Sequence, residues 1–275
     1  MQPITLVARA CAVTFVLAPL VGCGIHATPM AGSIGTPSKG VLTHGATLEQ
    51  NDSLHWLRQN ERHWGLPRFT SSIQRAAASV SAQRPGSILY VGDISASLGG
   101  PISGHRSHRS GVDADLLLYL VTLDGAPVHS PGFISVDADG LAWDFAHGRY
   151  VRFDVEREWL LIRALLTDEH ARVQWIFVSE VLEALLLEWA RARGDDPEII
   201  WRAQQVMLLS GGPHDDHIHV RTACTRHEIA AGCTTIGPER SWLRERPPGD
   251  GDRDDDLVAA ILRPFDAPLT LSANP

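Results

Sequence analysis

The sequence predicts an α+β domain, and three observations lead there. Apolar runs of strand length lie at 87–94, 116–120 and 172–178, each bounded by turn or polar residues. Helical stripes fill 155–167, 180–193 and 197–208. Two short stretches, 105–108 and 214–219, hold five of the thirteen histidines, and the second reads as a strand with His217 and His219 on one face. A hydrophobic content of 44% with eight tryptophans excludes a disordered chain. A length of 275 residues exceeds what one core of about 150 needs, so one domain with extensions is expected.

Residues 1–22 read as a targeting segment: Arg9 is the n-region charge, and Ala10–Leu20 is an apolar stretch too short to span a bilayer. Leu20-Val21-Gly22-Cys23 resembles the lipobox of bacterial lipoproteins, which makes Cys23 a lipidation site; the alternative is an ordinary signal cut near Ala27 or Ala31. Residues 23–47, rich in Gly, Pro, Ser and Thr, read as a flexible tether. Leu54, Leu57, Glu61 and Trp64 fit a helix within 48–64, and a second helix is expected at 71–83. Pro85-Gly86 breaks to the strand 87–94, and Leu116–Leu120 is the next. Residues 124–150 read as mostly irregular, with turns at Asp124-Gly125, Pro131-Gly132 and Asp139-Gly140, and are placed to wall a cleft. Asp154 caps the helix 155–167, Ser179 the helix 180–193, and Pro197 opens the last. Residues 246–275 form an acidic tail whose aspartates lack the spacing of a calcium loop.

The histidine spacing has a chemical reading. Asp113 and Asp115 share a parity and run into an apolar strand, so neighbouring strands can bring His108, Asp115 and His219 to one point. Three protein ligands and a water make a catalytic zinc site, whereas a structural one closes its shell with four. His217 then lies within reach of a substrate oxygen, as general base or oxyanion stabiliser. A lone histidine pair would be an ordinary surface feature; two such clusters together are not. Gly111 fits a tight turn into the strand. Asp93 either caps a turn or holds a histidine by its second ring nitrogen. Arg106, Arg109 and Arg221 flank the histidines as a carboxylate clamp or as solvated rim.

Cys224 and Cys233, nine apart, suit a disulfide in an exported protein; as reduced thiols they could bind metal, although the spacing is long for that. With a formal charge of −8 and no basic run, nucleic acid is not an expected partner. No repeat, phosphate loop or transmembrane segment is present in the sequence.

Taken together, Val-Gly-Asp93, Gly99-Gly100-Pro, His105-Arg-Ser-His108-Arg-Ser-Gly-Val-Asp113-Ala-Asp115 and His214-Asp-Asp-His217-Ile-His219-Val-Arg221 resemble the penicillin-insensitive murein endopeptidases. These belong among the lysostaphin, D-Ala-D-Ala peptidase and hedgehog group of zinc proteins. The resemblance spans roughly residues 85–245. It implies an antiparallel sheet flanked by helices with the zinc site on the sheet, within a metallopeptidase domain at 48–245. It implies Zn²⁺ ligands at His108, Asp115 and His219, catalytic roles for His217 and His214, and His105 at the rim or as a further ligand. It allows a second metal at a homodimer interface, for which only Asp144 and His147 offer themselves. Gly24 after Cys23 implies an outer-membrane anchor facing the periplasm.

The function implied is hydrolysis of peptide cross-links in peptidoglycan, at D-alanyl–diaminopimelyl bonds, by a metal-activated water. Such chemistry acylates no serine, and no Ser-X-X-Lys motif is present, so a β-lactam has nothing to trap. The alternatives are a D,D-carboxypeptidase or dipeptidase, and a hedgehog-like zinc-binding module without turnover.

Overall fold

The computed structural model describes residues 32–58 and 61–245; the signal segment, Cys23 and the acidic tail lie outside the described residues. The domain begins with a hairpin, β1 (Gly32–Thr36) and β2 (Lys39–Thr43), paired antiparallel from Gly32↔Thr43 to Thr36↔Lys39. Over residues 32–47 this corrects the tether expected at 23–47, whose first part, 23–31, lies outside the described residues. Glycine and threonine gave those residues a loop-like composition, but Leu42 is fully buried and anchors the hairpin in the core.

The helix expected at 48–64 is also absent. Its residues supply β4 (Leu54–Trp56) and β5 (Trp64–Gly65), and β5 pairs with β3 (Ala46–Thr47). The periodicity at 54, 57, 61 and 64 mimics a helical stripe. A neighbouring strand distant in sequence decides the outcome.

The first helix, α1 (Pro67–Gln83), starts four residues before the expected boundary, with proline in its first turn and Phe69, Ile73, Ala76, Ala77 and Val80 buried. β6 (Leu89–Val91) follows, then β7 (Asp113–Leu117) and β8 (Leu120–Thr122). The passage expected to be irregular contains β9 (Pro127–Val128) and β10 (Leu141–Asp144), and runs into β11 (Arg149–Phe153). These strands form an antiparallel sheet in the order β10-β11-β8-β9.

The later helices follow their caps. Asp154 accepts from Arg157 N at the start of α2 (Val155–Thr167). After β12 (Val173–Phe177), Ser179 accepts from Leu182 N at α3 (Glu180–Ala192). Asp196 and Pro197 open α4 (Pro197–Val206). β13 (Met207–Leu208) and β14 (His217–Thr222) follow, and then α5 (Arg226–Ala230), which begins with a Thr225–Glu228 capping box.

The main sheet runs β13-β12-β14-β7-β6-β4. Its centre is antiparallel, but both edges are parallel, β12 with β13 and β6 with β4. The expectation of a wholly antiparallel sheet therefore holds only for the middle four strands. Ala114, Leu116, Ile176, Ile218 and Val220 enter one buried cluster with Trp159, Ile162, Leu165, Leu182 and Ala203 of the helices. Because strand side chains alternate, the intervening residues Asp113, Asp115, His217, His219 and Arg221 stand together on the other face. Among the described residues no helix is long and apolar enough to cross a membrane.

Cys224 and Cys233 form a disulfide. Beside it, Gly35 N donates to Gly232 O and Thr234 N to Gly35 O, so the closed loop is sewn to β1. Closing so short a loop contributes roughly 2–3 kcal/mol in the chain-entropy model.

The core also encloses an ionisable residue on α2. Glu158 is fully buried; its Oε2 accepts from Tyr119 N at 3.0 Å and its Oε1 has no partner. Burial raises its pKa to about 8. A raised carboxyl pKa stabilises the fold below the ordinary value near 4.5, and that contribution fades as pH climbs through about 8. Glu158→Gln keeps the acceptor without the charge. Its thermal unfolding midpoint is expected to exceed that of the parent at pH 8.5, by on the order of 2–4 kcal/mol of stability, and to match it near pH 5. An equal difference at both pH values would refute this account.

Candidate metal and active site

The register of β14 on β7 builds the site, because it sets His219 directly opposite Asp115 and Arg221 opposite Asp113. His108 arrives from the preceding loop with φ of 62°, a left-handed conformation that a non-glycine residue adopts only when its surroundings impose it. Those surroundings are explicit: His108 N donates to Asp113 Oδ2 at 3.0 Å and its Nδ1 meets Ile94 O at 2.8 Å. Gly111, at φ 71°, makes the turn behind it, where a Cβ would come within 2.9 Å of Leu42 and 3.0 Å of Gly65.

Three donor atoms converge. Asp115 Oδ1 lies 3.1 Å from His108 Nε2 and 3.2 Å from His219 Nδ1, and these two nitrogens are 3.4 Å apart. Donors around a tetrahedral zinc with bonds of about 2.0–2.2 Å sit roughly 3.3–3.6 Å from one another. The observed triangle is slightly tighter and of the same size. His108 Nδ1 can only donate to the Ile94 carbonyl, which leaves the Nε2 lone pair facing the centre. His219 Nε2 likewise faces Asp113 Oδ1 at 3.0 Å. Asp115 Oδ1 is buried and satisfied by no hydrogen bond despite its three imidazole neighbours. An orphaned carboxylate oxygen with two nitrogens aimed at the same point could hold a cation, and the chemistry of His108, Asp115 and His219 is compatible with Zn²⁺.

The electrostatics agree. Burial opposes ionisation of Asp115, but His108, His217 and His219 hold its carboxyl well below the usual range. Asp113, equally buried, is held down by His219 and Arg221, whose Nε donates at 2.6 Å. Burial disfavours charge on His217, yet Asp115 and Asp216 outweigh it and raise its pKa to about 9. Asp113 and Asp115 raise His219 in the same way. The pocket thus prefers positive charge, and protons compete with a metal ion for it.

The other residues expected here divide. His217 Nε2 is 3.4 Å from Asp115 Oδ1, and its Nδ1 is 2.5 Å from Asp216 Oδ1. His214, at φ 44°, packs against His217 and His219 and turns Nδ1 to Gly212 O at 3.1 Å. Burial, then the two neighbouring imidazoles, lowers its pKa. His105 presents Nδ1 to Asp115 Oδ2 at 3.6 Å and fixes Nε2 on Asp93 Oδ2 at 2.8 Å. Asp93 therefore holds a histidine by its second nitrogen, one of the two roles weighed for it. Among the described residues two groups have donors within 4.8 Å of one another, His105/His108/Asp115 and His214/His217/His219.

Asp144 and His147 belong to neither group. Asp144 closes a turn, accepting from Ala146 N, His147 N, His147 Nδ1 and Arg149 Nε. Within one chain this pair is an ordinary capped turn. Arg106 and Arg221 line a cleft of about 680 Å³ over the histidines, but Arg109 does not. Arg221 is committed to Asp113. Three cleft residues gave no local signal in the sequence: Arg58, Phe133 and Phe177 come from separate elements and meet only in the fold. A larger hollow, about 780 Å³, borders α2 and the 241–245 segment and holds neither group of converging donors.

A family model described as penicillin-insensitive murein endopeptidase matches residues 33–251, which span every site residue above. The chain is 34% identical over 99 residues to a protein named penicillin-insensitive murein endopeptidase from Salmonella paratyphi C, a stretch covering 34% of this chain and 36% of that protein. It is 36% identical over 93 residues to proteins of the same name from Escherichia coli K12 and O157:H7, covering 33% of this chain and 34% of each. The chain thus matches about a third of the length of these relatives.

Metal binding should follow from this geometry. Titration of the metal-free chain with Zn²⁺ is expected to release protons and to tighten from pH 6 to pH 8, since ligand nitrogens must lose their protons first. Asp113→Asn, which removes the carboxylate behind His219, should weaken binding about 10- to 100-fold. Calorimetry in two buffers of different ionisation enthalpy reads both effects, and pH-independent binding without proton release would exclude this donor set.

Proposed function

The chain belongs to the penicillin-insensitive murein endopeptidase family, and from that premise we propose that it is a zinc-dependent hydrolase of murein cross-links. The observation that carries this reading is the triangle of His108 Nε2, Asp115 Oδ1 and His219 Nδ1 with one oxygen orphaned at its apex. Zn²⁺ held there would supply Lewis acidity, polarising the scissile carbonyl and lowering the pKa of a water from about 15.7 to roughly 7.

The flanking histidines share the proton work. His217, its Nδ1 set on Asp216 Oδ1, opposes the charge that grows on the carbonyl oxygen. His214, held neutral by burial and its neighbours, takes a proton from the attacking water and returns it to the leaving amine. Asp216 and the Gly212 carbonyl orient the two rings from behind. Phe133, edge-on to His217, and Phe177, edge-on to His219, wall the cleft.

The substrate of this reading is a peptide stem of cross-linked peptidoglycan, and the bond is D-alanyl–diaminopimelyl. The Cys224–Cys233 disulfide supports an oxidising, extracytoplasmic compartment; placement in the periplasm on a Cys23 lipid anchor is the further part of this proposal and rests on the Leu20-Val21-Gly22-Cys23 text alone. The retention of two extra histidines beside the donors weighs against a binding module without turnover, because a structural zinc does not require them.

Digestion of purified dimeric muropeptides is the decisive assay. The full zinc-loaded chain is expected to convert dimers to monomers, to stop when a chelator is added, and to be indifferent to penicillin. His217→Ala should lower kcat by about 10²–10³-fold while zinc content is unchanged. Intact dimers after incubation, or release of terminal D-alanine alone, would refute the endopeptidase reading.

A further inference from the structure

We propose that Arg58 is a specificity-determining residue that pairs with a carboxylate of the bound peptide beside the metal donors. The inference rests on the hydrolase reading for the kind of ligand, but its geometry stands on its own.

Arg58 follows β4 and reaches into the cleft. Its Nη1 donates to Asp93 Oδ2 at 3.1 Å, yet 46% of the side chain is exposed, whereas Asp93 is fully buried. The guanidinium lies 5.6 Å from the centroid of Phe133, and the same ring meets His217 edge-on at 5.2 Å. Phe133 is held there by close packing: a Cβ on Gly92 would fall 2.7 Å from its Cζ. The arginine is thereby set one aromatic ring away from the proposed oxyanion-stabilising histidine.

Its carboxylate partner is shared. Asp93 Oδ2 accepts from Arg58, from Arg62 at 3.2 Å and from His105 at 2.8 Å. Arg58 therefore shares this one buried carboxylate oxygen with two other donors. Of the residues lining the cleft, three are arginines (58, 106 and 221) and one is a carboxylate, Asp115, which imidazoles surround. Arg221 is tied to Asp113. In a chain of formal charge −8, the cleft lining itself thus carries more arginines than carboxylates. Asp93 fixes one end of the Arg58 guanidinium and leaves its exposed part for a planar, bidentate partner, which a carboxylate is. Arg106 shares the cleft, but among the described residues no hydrogen bond orients its side chain, so Arg58 is the pre-organised member.

The test compares two substrates. A dimeric muropeptide with free peptide carboxylates and its carboxamide counterpart are each assayed with the parent chain, Arg58→Ala and Arg58→Lys. The expected result is a KM for the acid raised about tenfold in Arg58→Ala with kcat little changed, partial recovery in Arg58→Lys, and less than about a twofold effect on the amide. Equal losses on both substrates, no loss on either, or loss of bound zinc from Arg58→Ala would overturn the proposal, the last by marking Arg58 as a mere support of Asp93 and His105. Calorimetric binding of the same two peptides in the presence of chelator separates the inference from the hydrolase reading. If the parent cuts neither peptide, weaker binding of the acid alone by Arg58→Ala still sustains the role of Arg58, and unchanged binding overturns it.

Discussion

A fully buried carboxylate is unstable unless positive charge surrounds it, and Asp115 is the group around which this domain arranges itself. Water cannot solvate it, and the cost of leaving it unpaired would be several kcal/mol. His108, His217 and His219 all bring a ring nitrogen within 3.4 Å of its Oδ1. That convergence needs the antiparallel register of β7 and β14, the left-handed turn at His108 and the glycine behind it. It also needs the opposite face of both strands to be apolar, so that the sheet is fixed by the helices below and is free to carry charge above.

Each histidine of the site has its own acceptor at the rear. His219 rests on Asp113, His217 on Asp216, His105 on Asp93, His108 on the Ile94 carbonyl and His214 on the Gly212 carbonyl. A hydrogen bond on one ring nitrogen fixes the tautomer and the ring plane, and thereby the direction of the other nitrogen. The division has an electrostatic logic. Two of the rings backed by carboxylates, His217 and His219, are raised in proton affinity, while His214, backed by a carbonyl and crowded by imidazoles, is lowered. One imidazole cluster therefore sets rings of raised and lowered proton affinity side by side.

The parts of this arrangement that were legible in the sequence are those set by short spacing. Same-parity residues on one strand put Asp113 with Asp115 and His217 with His219, and the start signals at Asp154, Ser179 and Pro197 marked the helix boundaries within a residue or two. The role of Asp113 behind His219 could have been read from the same parity. What escaped depends on partners distant in the chain. Leu54 and Trp56 are strand residues only because β6 lies beside them, and residues 32–43 form a hairpin because Leu42 finds the core. Arg58 and Phe133 carry no local pattern; they matter only because the fold sets them in one cleft.

The seam between Gly35 and the loop closed by Cys224–Cys233 joins the beginning of the described domain to its far end. Unravelling usually starts where a chain has a loose end, because a terminal strand can peel away one residue at a time. Here the first strand is hydrogen-bonded to a covalently locked ring, and β2, beyond it, buries Leu42 against Gly111 beneath the histidine turn. The outermost stitch and the floor of the site thus belong to one piece of structure, so that fraying at the amino end is resisted at the place where it would first disturb the metal donors.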